Sequence, residues 1–298
     1  MVSAPVLVGV DGSPAGLAAV AVAAREARMR GIGLRVVHAF FWPMMRVPLE
    51  PSSMGPPEGG LRNQAERTVE EALRHARETA PDIEAEGAVV TGDTLPVMAE
   101  ESRGAALAVV GSRGLGAFTG LLLGSTAVHL AAHGHCPVLV VRGAGDPARE
   151  GPVIVGVDGS PSGGAATEFA FAAAARRGTA LVAVHAWSPW RAEAPAPRDP
   201  AAPYASAPGE LAANEERLLA EALAGRQERY PDVPVERRVL RGGPREALIE
   251  ASREAALMVV GARGRGGFTG MLLGSVSQAV LHHADCPVAV VRAGGGED

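Results

Sequence analysis

Apolar positions along the chain gather into short continuous runs instead of alternating with polar ones. In the first half these runs consist mostly of Val, Leu and Ala, and longer segments with helical spacing separate them. Strands that are apolar on both faces and alternate with helices are typical of a parallel sheet covered by helices on each side. The pattern predicts strands at Val6 to Val10, Gly33 to Ala39, Ile83 to Thr91, Ala105 to Val110 and Pro137 to Arg142.

The same order of elements occurs twice. VGVDGSP starts at Val8 and again at Val155, 147 positions later, and past the middle of each half the offset becomes 150. The difference lies where Phe41 to Gly60 aligns with Trp187 to Gly209, two stretches too rich in proline for a helix or a central strand, which we predict to be loops. The repeat predicts two tandem doubly wound α/β domains at residues 1–142 and 153–298, joined by a linker at 143–152.

Helix starts are also visible in the sequence. Ser13 precedes Pro14, and Ser160 precedes Pro161. A serine hydroxyl is a good N-cap and proline suits the first helical position, so we predict a helix after each pair.

Composition narrows the class of protein. The 298 residues are 47% hydrophobic and carry a formal net charge of −5 with scattered arginines, which disfavours sequence-independent binding of nucleic acid. We see no apolar stretch of the ~18 residues that a membrane span needs and no signal peptide, so we expect a cytoplasmic protein without membrane association. The two cysteines, Cys136 and Cys286, each precede a proline at a strand start and are interpreted as small core residues.

A glycine motif is the most specific feature of the chain. The segments Val109 to Ser125 and Val259 to Ser275 share thirteen of seventeen residues, and both contain GxxG, nine residues, then Gly-Ser. Glycines allow close approach of the main chain to a ligand and positive φ, and a helix that begins at Gly-Ser presents free amides. The motif therefore predicts a phosphate site, although glycines that serve only close packing are an alternative interpretation.

The topology expected for such a fold brings an acidic residue to each glycine loop. If the strand order is 3-2-1-4-5, which we infer from the fold type, a crevice opens where the first and fourth strands diverge. Asp11 and Gly111 end those strands in the first half, as do Asp158 and Gly261 in the second. Each aspartate could contact a ligand through ribose or Mg²⁺, or could cap the following turn.

These motifs resemble those of the universal stress proteins in their tandem form, and the resemblance extends over nearly all of the chain. In that family the full glycine spacing marks members that bind ATP, so the resemblance implies ATP, with Mg²⁺ on its phosphates, at both sites. It also implies that the backbone of the residue after the second-strand histidine, Ala39 or Ala186, holds adenine. In this family the last strands pair antiparallel between domains, which implies an internal pseudo-dimer of the two halves and, plausibly, a homodimer of chains.

Motif and resemblance together give one set of expected nucleotide-binding residues in each half. Arg113 and Arg263 could neutralise phosphate charge or be solvated surface residues. The phosphate oxygens are expected to accept bonds from amides around Gly114, Gly124 and Ser125 and their counterparts, with the serine hydroxyls assisting. The full set is Gly9, Asp11, Ala39, Val110, Gly111, Arg113, Gly114, Gly124, Ser125 and Thr126, and Gly156, Asp158, Ala186, Val260, Gly261, Arg263, Gly264, Gly274, Ser275 and Val276.

Histidines give weaker signals. The group His129, His133 and His135 is not repeated in the second half, so we expect no metal site built from protein side chains. His38 and His185 are repeated at the ends of the second strands, and we expect them to bond backbone groups and not to act as bases.

The sequence favours nucleotide binding without rapid turnover. It contains no GxxxxGK[ST] motif and no evident base beside a nucleophile. The expected function is an ATP-binding regulator of a stress response or of signalling, with slow or absent hydrolysis. An ATP-using hydrolase or adenylating enzyme on the same fold is the alternative, and a purely structural interaction module is the third.

Overall fold

The structure is a computed structural model, and it describes residues 3–41, 57–114, 123–142, 149–188, 210–265 and 272–293. The chain divides into two compact units, Met1–Arg149 and Glu150–Asp298. Most of the two predicted proline-rich loops and the middle of each glycine loop lie outside the described residues.

The first unit is a five-stranded parallel sheet with helices on both faces. Its strand order is β3-β2-β1-β4-β5, which confirms the predicted order. In the register of the central strands, Val6 lies beside Leu34 on one side and Leu107 on the other. The elements are β1 (Val6–Gly9), α1 (Pro14–Arg30), β2 (Leu34–Phe40), α2 (Pro57–Thr79), β3 (Ala85–Thr91), α3 (Thr94–Glu101), a 3₁₀ turn (Ser102–Gly104), β4 (Leu107–Gly111), α4 (Ser125–His133) and β5 (Val138–Val141).

The second unit repeats this plan with the order β8-β7-β6-β9-β10. Its neighbouring strands are again parallel. The elements are β6 (Val153–Gly156), α5 (Pro161–Arg177), β7 (Leu181–Trp187), α6 (Glu210–Leu223), α7 (Arg226–Arg229), β8 (Val235–Arg241), α8 (Pro244–Ala251), β9 (Leu257–Gly261), α9 (Ser275–His283) and β10 (Val288–Val291).

The start of α1 follows from its sequence. The hydroxyl of Ser13 accepts a bond from the amide of Gly16 at 3.0 Å, and Pro14 occupies the first turn. The helix ends at Gly31, whose φ of 65° is the left-handed conformation that glycine adopts without strain. In the second unit Ser160 caps α5 in the same way, with a 3.0 Å bond from Gly163. Both predicted helix starts are confirmed.

The core consists of small aliphatic side chains. The side chains of β1 and β4 are almost fully buried, and α1 covers these strands with a face that is mostly alanine. Short side chains let helix and sheet approach closely, which suits a chain with only 4% aromatic residues. Cys136 and Cys286 are both buried and free, as predicted. Burial raises the pKa of the Cys136 thiol to about 11.

Two helices differ from the sequence prediction. α2 begins at Pro57, inside the segment Phe41 to Gly60 that we predicted as a loop, because proline is tolerated in the first turn of a helix. In the second unit Gly225, with φ of 72°, separates α6 from the short α7. His75 stands at the equivalent place in the first unit, where α2 runs on to Thr79 without a break.

Candidate functional site

A cleft of about 430 Å³ opens at the carboxyl ends of β1 and β4, where the chain continues from the two strands to opposite sides of the sheet. Loop backbone, the first turn of α4 and the end of β2 form its walls. The structure brings all ten expected residues of the first unit to this cleft: Gly9, Asp11, Ala39, Val110, Gly111, Arg113, Gly114, Gly124, Ser125 and Thr126.

The carboxylate of Asp11 lies between the first turn and the glycine loop. Its Oδ1 accepts the amide of Ser13 at 3.0 Å. On the loop side it lies so close to Gly114 that a Cβ on that glycine would be 2.4 Å from Oδ2. Oδ1 of Asp11 therefore caps the following turn, as one of the two interpretations predicts. The residue also lines the cleft.

Asp158 has the equivalent position in the second unit. Its Oδ1 accepts the amide and the hydroxyl of Ser160, at 3.0 and 2.7 Å. Its Oδ2 accepts the amide of Arg265 at 3.1 Å, and a Cβ on Gly264 would lie 2.4 Å from this oxygen. A single carboxylate thus ties the start of α5 to the glycine loop.

The loop glycines are explained by close contact and not by unusual dihedral angles. A Cβ on Gly111 would lie 2.7 Å from the carbonyl oxygen of Ala15, and one on Gly261 would lie 2.9 Å from the backbone of Ser162. Among the described loop glycines none has positive φ, so that part of the expectation is wrong. Glycine at 111 and 261 lets the first turn of the helix pack on the end of the strand.

Amides at the start of α4 differ in their availability. The amide of Gly124 donates to the carbonyl oxygen of Ser112 at 2.7 Å, and that of Gly274 donates to Ala262 at 2.7 Å. These two amides are therefore engaged inside the loop, contrary to the expectation that they serve phosphate. Gly124 is the N-cap and carries no side chain, so it cannot cap the amides of the first turn, which begins at Ser125.

The two repeated histidines bond the backbone, as predicted. Nδ1 of His38 lies 2.8 Å from the carbonyl oxygen of Val10, and Nδ1 of His185 lies 2.7 Å from that of Val157. A carbonyl oxygen only accepts, so each Nδ1 carries the proton. In the second unit Nε2 of His185 also lies 2.6 Å from Oε2 of Glu215, a contact that joins β7 to α6.

Positive charge gathers beside the second glycine loop. Burial, and after it the nearby Arg263, lowers the pKa of the Arg292 guanidinium. The two guanidinium groups are therefore close enough to interact. Arg113, the counterpart of Arg263, lies on the wall of the first cleft.

Two cleft residues from α3 were missed by sequence reasoning. Thr94 and Met98 lie four residues apart and line the cleft. Met98 packs so closely on β1 that a Cβ on Gly9 would lie 2.8 Å from its terminal methyl group. The sequence feature that could have indicated Thr94 and Met98 is that α3 follows the carboxyl end of β3, at the same edge of the sheet as the cleft. In the second unit Leu248 packs on Gly156 in the same way.

The histidines of α4 stack on each other. The rings of His129 and His133 lie 4.3 Å apart between centroids, with 26° between their planes. Burial, and secondarily His133, lowers the pKa of His129. Across the described parts of the chain, no group of three His, Cys, Asp or Glu side chains is arranged to hold a metal ion.

The fold and the two glycine loops define a tandem, doubly wound α/β protein with a glycine loop at the switch point of each sheet. A model of the universal stress protein family matches residues 4–142 and 151–292, and the chain belongs to that family.

Related proteins share both units. Universal stress protein Rv1996 of Mycobacterium tuberculosis is 41% identical over 96% of this chain and 94% of its own length. The crystal structure of a universal stress protein from Archaeoglobus fulgidus covers 98% of this chain and 99% of its own, with 20% identity and a TM-score of 0.69. A crystal structure of a universal stress protein in complex with cAMP covers 48% of this chain, with 26% identity and a TM-score of 0.37. In the described helices of this chain, no segment is long and apolar enough to cross a membrane.

Proposed function

We propose that each unit binds one ATP with Mg²⁺ in the crevice at the ends of its first and fourth strands, and that the chain is a nucleotide-dependent regulator of a stress response or of signalling. The main support is the cleft of the first unit, which brings together a carboxylate, a guanidinium, described residues of a glycine loop and a helix start, and the second unit repeats the contact between its aspartate and its glycine loop. Its volume of about 430 Å³ lies within the range of small-molecule sites.

The phosphate end of the ligand fits the start of α4. The first-turn amides at Ser125 and Thr126 border the cleft, and a helix start attracts negative charge through its dipole. The guanidinium of Arg113 is on the same wall. In the second unit Arg263, the counterpart of Arg113, supplies the corresponding cation.

The base end fits the wall formed by β2 and α3. Val37, Ala39 and Met98 give this wall an apolar surface, and the backbone of Ala39 supplies hydrogen-bonding groups at its edge. An apolar slot with a few fixed polar groups is the usual design of a site for a planar base. Selection for adenine through Ala39 and Ala186 is part of the proposal.

Mg²⁺ suits the carboxylate at the mouth of each crevice. This ion keeps several waters and is held by one or two carboxylates together with the phosphates of its nucleotide. Asp11 in the first unit and Asp158 in the second provide one carboxylate each. When bound, the ion supplies neutralisation of the phosphate charge.

Slow hydrolysis follows from the groups around the crevice. The sequence has no lysine placed as in a P-loop. His185 cannot serve as a base while its Nδ1 donates to Val157 and its Nε2 contacts Glu215. Bound ATP would therefore act by stabilising one state of the chain, in proportion to its affinity for that state.

The remaining parts of the proposal concern organisation. We retain domain limits of 1–142 and 153–298 with a linker at 143–152, a cytoplasmic location, an internal pseudo-dimer of the two halves, and a homodimer of chains. Light scattering on the purified chain tests the last of these, because a strict monomer at all concentrations would contradict it.

Titration calorimetry with ATP, ADP and adenosine tests the binding proposal. We expect two ATP per chain and an affinity that falls as phosphates are removed. Release of phosphate at steady state should stay below ~1 s⁻¹, and a higher rate would favour the enzymatic alternative. Absence of binding to all three ligands would overturn the proposal.

A further inference from the structure

The two glycine loops have the same backbone contacts in their described residues. In each unit the amide of the N-cap glycine donates to a loop carbonyl oxygen at 2.7 Å. In each unit a Cβ on the second glycine of GxxG would lie 2.4 Å from the aspartate. The conformation of the described loop residues is therefore common to both units, and any difference lies in what holds it.

Two serine hydroxyls hold the second loop from the helix side. The hydroxyl of Ser162, in the first turn of α5, donates to the carbonyl oxygen of Arg263. The hydroxyl of Ser277, in the first turn of α9, donates to the carbonyl oxygen of Gly261 at 2.6 Å and lies 3.3 Å from that of Ala262. Both serines are more than nine-tenths buried, so water does not compete freely for these bonds.

The first unit has alanine at both positions. Ala15 corresponds to Ser162, and Ala127 corresponds to Ser277. Alanine has no hydroxyl, so neither bond can form there. The cap serines Ser13 and Ser160 are present in both units, and within the loop itself the first unit has the buried Ser112 where the second unit has Ala262.

The Ser162 bond fixes the direction of the Gly264 amide, one of the loop amides that the sequence predicts at the phosphate site. In a trans peptide the carbonyl and the following N–H point to opposite sides. Because the carbonyl of Arg263 is held toward α5, the N–H of Gly264 is directed away from that helix. The carbonyl of Ala262 accepts from Gly274, as that of Ser112 accepts from Gly124 in the first unit, and the hydroxyl of Ser277 also lies 3.3 Å from the Ala262 oxygen. The N–H of Arg263 is therefore directed away from α9.

We propose that Ser162 and Ser277 are positioning residues that hold the second glycine loop in its ligand-binding conformation before ATP arrives. The first loop, with Ala15 and Ala127, loses more conformational freedom when it binds. The second site therefore binds ATP more tightly than the first. This inference rests on the proposed function, namely that both crevices bind a nucleotide.

Hydrogen exchange of the full chain without ligand directly tests whether Ser162 and Ser277 hold the second glycine loop. In the variant Ser162→Ala with Ser277→Ala we expect the amides of residues 263 and 264 to exchange about two- to twelve-fold faster, the effect of one ordinary hydrogen bond. In the reciprocal variant, Ala15→Ser with Ala127→Ser, the amides of residues 113 and 114 should exchange more slowly. Unchanged exchange in both variants would overturn the proposal whether or not ATP binds.

Calorimetric titration of the same proteins with ATP tests the consequence for affinity. The wild-type chain should show a tighter and a weaker site. The serine-to-alanine variant should weaken only the tighter site, by about two- to twelve-fold, and the alanine-to-serine variant should strengthen only the weaker one. Equal wild-type sites, or sites that do not respond to these changes, would contradict the inference. If no ATP binds at all, the proposed function and the affinity difference are both wrong. The hydrogen-exchange experiment still shows whether the two serines hold the loop.

A matched control separates positioning from general stability. Ser252 is a fully buried serine of the second unit, whose hydroxyl donates to Ile249 at 2.6 Å and accepts from Asp285 at 2.9 Å. Ser252→Ala should lower the unfolding midpoint without changing exchange at residues 263 and 264 or the affinity for ATP. An equal effect of this control on the loop would show that Ser162 and Ser277 act only through stability, and the proposal would fail.

Discussion

The carboxylate of Asp11 lies directly against the α-carbon of Gly114, leaving no room for a side chain between them. The same contact joins Asp158 and Gly264. It brings an acidic group and a phosphate-type loop into one surface, although a carboxylate alone would repel phosphate. A divalent cation between carboxylate and phosphate removes this repulsion, which is why Mg²⁺ belongs to the proposed ligand.

Alanine at both contacts should impair the sites. In Gly114→Ala with Gly264→Ala each new Cβ would lie 2.4 Å from a carboxylate oxygen, so the loop or the carboxylate must move. We expect the affinity for ATP to fall by about tenfold or more, the effect of losing a charged hydrogen bond. Calorimetry measures it. Gly104→Ala is the control, because its Cβ would meet no atom within 4 Å, and unaltered ATP binding in the double variant would count against the site.

Removal of Arg263 should weaken phosphate binding selectively. In Arg263→Gln we expect the second site to lose about tenfold or more in affinity for ATP, while the affinity for adenosine stays the same, because the proposed role of this guanidinium is to neutralise phosphate charge. Fluorescence or calorimetric titration with both ligands decides this. Arg253→Gln removes an exposed arginine that pairs with Glu250 on α8 and should change neither affinity. Equal losses for adenosine and ATP would speak against a phosphate role.

The cap of α1 should contribute measurably to the stability of the first unit. Ser13→Ala removes the 3.0 Å bond to Gly16, and we expect a loss of about 1 kcal/mol in the free energy of unfolding. Urea titration followed by circular dichroism measures the loss. Asp93 is the N-cap of α3 but makes no capping bond, so Asp93→Ala should have little effect. Similar losses in both variants would mean that the Ser13 bond is not the cause.

Alkaline pH should destabilise the chain through Cys136. Burial raises its pKa from 9.0 to about 11, so the folded state keeps the proton longer than the unfolded state does. This contribution is fully present below pH 9 and is lost as pH rises toward 11. Urea midpoints at a series of pH values should fall across this window, and Cys136→Ala should flatten the decline. Iodoacetamide should react slowly with the folded thiol at pH 8, and fast labelling would contradict the raised pKa.

The features that the sequence could predict are those set by capping residues and by the pattern of apolar positions. Ser13 next to Pro14 defines a helix start within a few residues, and continuous apolar runs define buried parallel strands. The strand order then places Asp11 and Gly111 at one edge, since few topologies satisfy right-handed crossovers. Helix starts, buried strands and strand order could be predicted because they do not depend on the details of side-chain packing.

Tertiary contacts explain what the sequence could not predict. Met98 reaches the cleft because α3 packs across Gly9, a distance in sequence that no local pattern spans. The described loop glycines could adopt positive φ, yet their φ values are not positive, and glycine is needed at Gly111 and Gly261 because the neighbouring backbone leaves no room for a Cβ. Glu215 pairs with His185 across thirty residues, where the equivalent helix position of the first unit is the buried Ala65.

The pair of His185 and Glu215 also constrains how the second half of the chain can evolve. Loss of the glutamate leaves an imidazole that still donates to a carbonyl oxygen, the arrangement that His38 adopts opposite Ala65. Loss of the histidine leaves a nearly buried carboxylate without its hydrogen-bond partner, which typically costs about 1–3 kcal/mol. Replacement of Glu215 should therefore precede replacement of His185 in evolution. Homologues that keep the glutamate without the histidine should be rare.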